Sequence, residues 1–131
     1  MSRRGRSWVL ALVGWTGVVW TTRIGNIWGD TGLTDGEKWG RTGLALSFTV
    51  LAVAVGLALV RRAAWLRTAV GALAGWTIVV WVVRAVGVST GGHDAAFVAV
   101  HLVLAVVSIA LAVLAGRAVT AAAPVDAARP R

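Results

Sequence analysis

The chain has 131 residues, 58% of them hydrophobic and only 14% charged, with a formal net charge of +8 and a mean hydropathy of +0.80. Soluble domains are about 45–50% apolar and about 25% charged, so too few charged residues are present to cover a water-exposed surface. The composition is that of an integral membrane protein, not of a soluble globular enzyme, and the absence of cysteine excludes disulfides, thiolate metal sites and cysteine nucleophiles.

A bilayer core about 30 Å thick takes about 20 apolar residues in a helix. Four segments meet that length: about Trp8–Thr22, extending toward Ile27; about Thr42–Val60; about Leu66–Val83, extending toward Val88; and about Ala95–Ala115. The segments are joined by a polar, glycine-rich loop (Gly25–Arg41), a basic turn (Arg61–Arg67) and a second glycine-rich loop (Arg84–Asp94). Residues 118–131, with Pro124 and Pro130, read as a disordered cytoplasmic tail, leaving 1–117 as the four-helix transmembrane domain. Arg3, Arg4 and Arg6 ahead of the first run fit the basic region of an export signal. Trp15 and Trp20 inside that run, with no small-x-small cleavage site after it, favour a retained helix.

A pI near 12 in a soluble protein points to nucleic acid; in the short loops of a membrane protein the same arginines set orientation. With the N-terminus in the cytoplasm, that side holds nine basic residues (Arg3, Arg4, Arg6, Arg61, Arg62, Arg67, Arg117, Arg129, Arg131) and the outer side four (Arg23, Lys38, Arg41, Arg84). Asp30, Asp35, Glu37 and Asp94 fall outside and Asp126 inside. The expectation is four spans, both termini cytoplasmic, and no nucleic-acid partner.

The chain repeats itself. Residues 14–23 read GWTGVVWTTR and residues 75–84 read GWTIVVWVVR, seven of ten positions matching at an offset of 61. The even segments echo each other more weakly, Val50-Leu51-Ala52-Val53 against Val103-Leu104-Ala105-Val106. This reads as two tandem hairpins, about 8–62 and 66–117, whose halves both start in the cytoplasm and are related by a pseudo-twofold along the membrane normal. Gly71/Gly75, Ala52/Gly56 and Ala112/Gly116 are small-xxx-small pairs suited to close helix packing.

Arg23 and Arg84 stand out because the repeat singles them out. Each follows a Trp by three residues (Trp20, Trp81) and a Thr by seven (Thr16, Thr77), so each trio shares a helix face. Two roles compete: interfacial anchors snorkelling to headgroups beside an aromatic belt, or paired guanidiniums that hold an anion or clamp Asp30, Glu37 or Asp94. Trp15 and Trp76 lie eight residues before the arginines, about 12 Å deeper at the helical rise. They fit core packing between hairpins or an aromatic wall for a ligand. His101 is the one ionisable residue well inside an apolar span; Asp94, His101 and Ser108 follow at seven-residue steps on one face. Ser108 is about 10 Å from His101 along the axis, so His101 fits a neutral imidazole hydrogen-bonded between helices or, alternatively, a proton relay. No carboxylate lies mid-span, and no phosphate loop, metal-spaced cluster or catalytic triad is present in the sequence.

The Trp-x-x-Arg-x-x-Asn string (Trp20, Arg23, Asn26), with Val100-His101 and Ser108, resembles small, functionally uncharacterised four-helix membrane proteins of actinobacteria. The resemblance implies a bacterial inner-membrane location and brings no activity with it; the second repeat has Gly87 where the first has Asn26. The expected fold is an all-α polytopic bundle with no catalytic set, metal or cofactor. Its expected partners are the lipid bilayer and either a protein partner or a second copy, met through helix packing. The alternatives are an anion or small-solute transporter using Arg23 and Arg84, and a membrane enzyme or proton relay using Asp94 and His101.

Overall fold

A computed structural model describes residues 1–122, which form four α-helices: α1 (Arg3–Gly29), α2 (Asp35–Val60), α3 (Leu66–Thr90) and α4 (Ala95–Ala121). Both glycine-rich segments expected as loops are largely helical, leaving turns of only 30–34 and 91–94. The reason is capping. Thr34 starts α2 with a capping box, its hydroxyl accepting from the Glu37 backbone N–H while the Glu37 carboxylate accepts from the Thr34 N–H. Asp94 starts α4 by accepting from the Phe97 N–H at 2.9 Å, and Gly92, at φ +72° just past the Gly91 C-cap, supplies the left-handed residue that ends α3. Residues 118–121, expected within the disordered tail, continue α4, Ala122 caps it, and residues 123–131 lie outside the described residues.

The α2–α3 turn closes with a Schellman motif: Ala63 N–H donates to the Ala58 carbonyl and Arg62 N–H to the Leu59 carbonyl. Its left-handed residue is Arg62, at φ +50°, where glycine is the unstrained choice.

Short turns make successive helices antiparallel neighbours. α1 packs on α2 and α4, and α3 on the same two, so the helices form a square ring with α1 diagonal to α3. Both termini of the bundle and the α2–α3 turn lie at one end; the α1–α2 and α3–α4 turns lie at the other, the paired-loop end.

Burial follows the repeat closely. At an offset of 61, Val9/Val70, Leu12/Leu73, Thr16/Thr77, Trp20/Trp81 and Ile27/Val88 are all buried pairs. In the even helices the offset is 60: Ala45/Ala105, Ala52/Ala112, Val55/Ala115 and Leu59/Val119 are buried at matching positions, and the N-caps Thr34 and Asp94 also match. The single-residue change is the difference between a five-residue and a four-residue turn. The expected match of Val50–Val53 with Val103–Val106 is therefore a register error, produced by a Val/Leu/Ala-rich background in which several registers give short matches.

The bundle is inverted relative to a soluble protein. Thr16, Thr42, Thr77, His101 and Ser108 are buried, whereas Val18, Val50, Val83, Val103 and Val106 each expose more than 60% of their surface. Such an apolar exterior is stable only in lipid. α2, α3 and α4 are long and apolar enough to cross a membrane. α1 is as long, but Gly14, Trp15, Thr16, Gly17, Trp20, Thr21 and Thr22 dilute its apolar run, so three helices, not the expected four, meet the length-and-hydropathy requirement. The chain is an integral membrane helical protein.

Gly71 and Gly75 do not pack helices within the chain. Both are exposed, and an added Cβ at either would meet no atom within 4 Å. The close approach falls at Gly5, where a Cβ would lie 3.3 Å from the Ala118 Cβ and hold α1 against α4 near the termini.

A basic cavity at the paired-loop end

Four basic side chains occupy equivalent positions. Arg23 and Arg84 lie six residues before the ends of α1 and α3; Arg41 and His101 lie six residues after the starts of α2 and α4. Each is thus about 9 Å in from the paired-loop end at 1.5 Å per residue, and Arg41 and His101 are related by the offset of 60. All four line one cavity of about 660 Å³, within the ~300–1,000 Å³ of small-molecule sites. A second space of about 410 Å³ shares Arg23, Arg41 and Arg84 and adds His93.

The helix pattern explains the placement. Thr16, Trp20 and Arg23 share a face, as do Thr77, Trp81 and Arg84; Thr16, Thr77, Trp20 and Trp81 are buried, which brings both half-buried arginines toward the bundle axis. Below them lies an aromatic floor. Trp20 stacks on Phe48 with centroids 4.1 Å apart and meets Trp81 at 6.3 Å, and Phe48 meets Trp76 at 6.1 Å. Phe48 is fully buried, so the interior is packed, not open, beneath the arginines.

The carboxylate clamp expected for Arg23 and Arg84 does not form. Glu37 and Asp94 are used as caps, and Asp30 Oδ1 accepts from the Gly32 N–H at 2.8 Å. Backbone donors freed at helix and turn ends compete for the same oxygens and lie closer. Among the described residues neither arginine is ion-paired, and the Nε of Arg84 is buried with no hydrogen-bond partner. Asp30 lines the cavity mouth as its one acidic group.

Nor does the alternative Asp94–His101–Ser108 relay assemble. Asp94 is a cap, and Ser108, 1% exposed, accepts from Trp15 Nε1 at 2.9 Å. His101, 9% exposed, bonds through Nδ1 to the Phe97 carbonyl at 2.9 Å. A carbonyl only accepts, so Nδ1 carries the proton. His93, Phe97 and His101 instead stack as a ladder of rings, 4.6 and 4.1 Å apart.

Trp15 and Trp76 are neither core nor idle. Trp76 Nε1 donates to Ser47 Oγ at 2.9 Å, mirroring the Trp15–Ser108 bond. Each bond ties an odd helix to an even one across the two seams that no paired-loop turn bridges, α1/α4 and α2/α3. Trp15 also lines the cavity.

The sequence reading missed Arg41, Phe97 and Asn26 as cavity residues and Phe48 as part of the floor. Aligning the even helices at an offset of 60 would have found Arg41 opposite His101. Compared with known protein families, with curated proteins and with solved structures, the chain matches none.

Proposed function

We propose that this is a four-span protein of the bacterial plasma membrane, with both termini in the cytoplasm, that binds an anion at its outer face. The observation that carries the reading is the basic cavity: Arg23, Arg41, Arg84 and His101, one from each helix, line a single space in which Arg84 Nε lacks a partner. A guanidinium in low dielectric without a counter-charge is costly, and an anion accepting from two or three such groups removes the cost. The packed Trp20–Trp81–Phe48 floor favours a binding site over an open pore.

The membrane placement rests on the charge arrangement. Among the described residues, seven of the eleven Lys+Arg (Arg3, Arg4, Arg6, Arg61, Arg62, Arg67 and Arg117) lie at the end that holds the start of α1, the α2–α3 turn and the end of α4, as the positive-inside rule requires of a cytoplasmic face. Arg62 belongs to that set, and a charge at this position explains an arginine where backbone geometry favours glycine. α1 spans with the others because it closes the ring between α2 and α4. The two tandem hairpins then form a parallel repeat whose pseudo-twofold exchanges Arg23 with Arg84 and Arg41 with His101.

The test is stabilisation of the purified protein by phosphate or sulfate in neutral detergent. A ligand at ten times its Kd stabilises by about 1.4 kcal/mol, a measurable rise in melting temperature. The rise is expected to vanish in Arg23→Gln/Arg84→Gln, which retains the wild-type helix content. Stabilisation that is equal in wild type and variant would overturn the proposal.

A second reading has its own observation. The exposed Gly71/Gly75 pair offers α3 a close-packing face toward another helix, in a partner subunit or a second copy. It predicts a defined oligomer or co-purifying subunit in mild detergent that Gly71→Leu/Gly75→Leu disperses; a wild-type monomer would refute it.

A further inference from the structure

The basic cavity does not end at the arginines. On α1 its lining continues through Val19, Val18 and Trp15, and on α4 through Val100 and Leu104, so an apolar groove runs down the α1/α4 seam from the basic groups toward the middle of the bundle. Arg23 to Trp15 is eight residues, about 12 Å of depth. The groove opens sideways. Val18 and Val100 at its lips are 65% and 57% exposed, while Trp20 and His101 behind them are 2% and 9% exposed. At the terminal end of the same seam Gly5 meets Ala118 closely, and midway Trp15 bonds Ser108, so the opening is confined to the paired-loop half.

The pseudo-symmetric seam, α2/α3, shows what makes the difference. Phe48 and Ser108 are equivalent at the offset of 60. Phe48 fills the interior on its side, stacked on Trp20 and close to Trp76. Ser108 is small and turned to the Trp15 indole, so the α1/α4 side carries no corresponding ring.

We infer that the ligand is an anionic amphiphile, a phosphate-like head on an alkyl chain, which enters sideways from the outer leaflet through the α1/α4 seam. This rests on the anion-binding reading above and names the ligand class for that site. The head sits among Arg23, Arg41 and Arg84, beside Asn26 and Asp30; the chain lies along Val18, Val19, Val100 and Leu104. A free inorganic anion would use the basic end alone and leave the groove unexplained. A neutral lipid would leave Arg23 and Arg84, unpaired among the described residues, without a counter-charge. Only a molecule with both parts complements both surfaces.

The experiment uses the full chain in nanodiscs of neutral phosphatidylcholine, titrated with dodecyl phosphate, inorganic phosphate and dodecyl maltoside. Intrinsic fluorescence is the readout, since Trp15, Trp20 and Trp81 line the cavity. Saturable binding of dodecyl phosphate at least tenfold tighter than inorganic phosphate is expected, with none for dodecyl maltoside. Val18→Phe, and separately Val100→Phe, place a ring across the lateral mouth at exposed positions that do not support the core, without adding an indole to the fluorescence readout. Either is expected to erase the tenfold advantage of the chain. Equal affinity for the two phosphates, or a preference that survives both plugs, overturns the amphiphile inference while leaving anion binding standing. If neither phosphate binds in a manner that Arg23→Gln/Arg84→Gln weakens, the anion-binding reading itself fails.

Discussion

Trp15→Phe and Trp76→Phe are chemically the same change at repeat-equivalent positions, yet they carry different costs. Both indoles donate a 2.9 Å bond to a serine across a seam. Ser47 also donates back to the Leu44 carbonyl at 2.6 Å, so losing Trp76 leaves that hydroxyl with a partner. Ser108 is 1% exposed, and Trp15 is its only hydrogen-bond partner among the described residues. Interhelical bonds in membranes are worth about 0.6 kcal/mol on average and up to about 1.7 kcal/mol. Stranding a buried hydroxyl adds a desolvation penalty of about 1–3 kcal/mol, partly relieved here because Ser108 can turn back to its own helix as Ser47 does. Trp15→Phe is therefore expected to cost about 1–2 kcal/mol and Trp76→Phe under about 1 kcal/mol. Reversible unfolding in mixed micelles with increasing dodecyl sulfate, followed by far-ultraviolet circular dichroism, gives both numbers. A double-mutant cycle with Ser108→Ala isolates the pair, with a coupling of about 1 kcal/mol expected. Coupling indistinguishable from zero, or equal costs for the two tryptophans, would refute this account of the seams.

Other substitutions test separate parts of the bundle. Gly5→Leu drives α1 from α4, where even a Cβ meets the Ala118 methyl at 3.3 Å, and is expected to cost about 1–3 kcal/mol. Gly14→Ala, with nothing within 4 Å of the new Cβ, is expected to gain up to about 1 kcal/mol from helix propensity; the same unfolding titration reads both. Thr34→Ala breaks the α2 capping box and is expected to lose about 1 kcal/mol. Arg62→Gly relieves a left-handed arginine and is expected to raise stability by about 1 kcal/mol while removing one charge from the α2–α3 turn, measured as a higher melting temperature.

Much of the fold was legible because bilayer crossing demands long apolar runs, and those runs are visible without homologues. The repeat was legible at Trp15/Trp76 and Arg23/Arg84 because tryptophan and arginine are rare enough in this chain to make matches informative. It was illegible in the even helices for the opposite reason: Val, Leu and Ala recur so densely that a shift of seven residues still looks like a match. The Gly25–Arg41 segment read as a loop because its glycines and acids carry loop composition, whereas Thr34–Glu37 is a capping box that begins a helix inside it. The arginine–carboxylate clamp was the most misleading expectation. Charge balance around the two paired loops made it attractive, but the carboxylates are held by backbone N–H groups a few residues away, leaving Arg23 and Arg84 unpaired among the described residues. The lateral groove has no sequence signature of its own. It arises from a Ser in one repeat where the other has Phe, which is visible only once the register is known.

The central claim is that α1 crosses the membrane with the other three helices and so places the basic cavity on the outer face. The chain contains no cysteine, so single-cysteine labelling needs no background removal. Thr31→Cys and Thr90→Cys, at the paired-loop end, are expected to react with a membrane-impermeant maleimide in intact cells. Ser2→Cys, ahead of α1, Ala63→Cys, in the α2–α3 turn, and Ala122→Cys are expected to react only after permeabilisation. Labelling of Ser2→Cys and Thr31→Cys from the same side would contradict the crossing of α1 and with it the four-span arrangement, and labelling of both sets in the reverse sense would put the basic cavity in the cytoplasm.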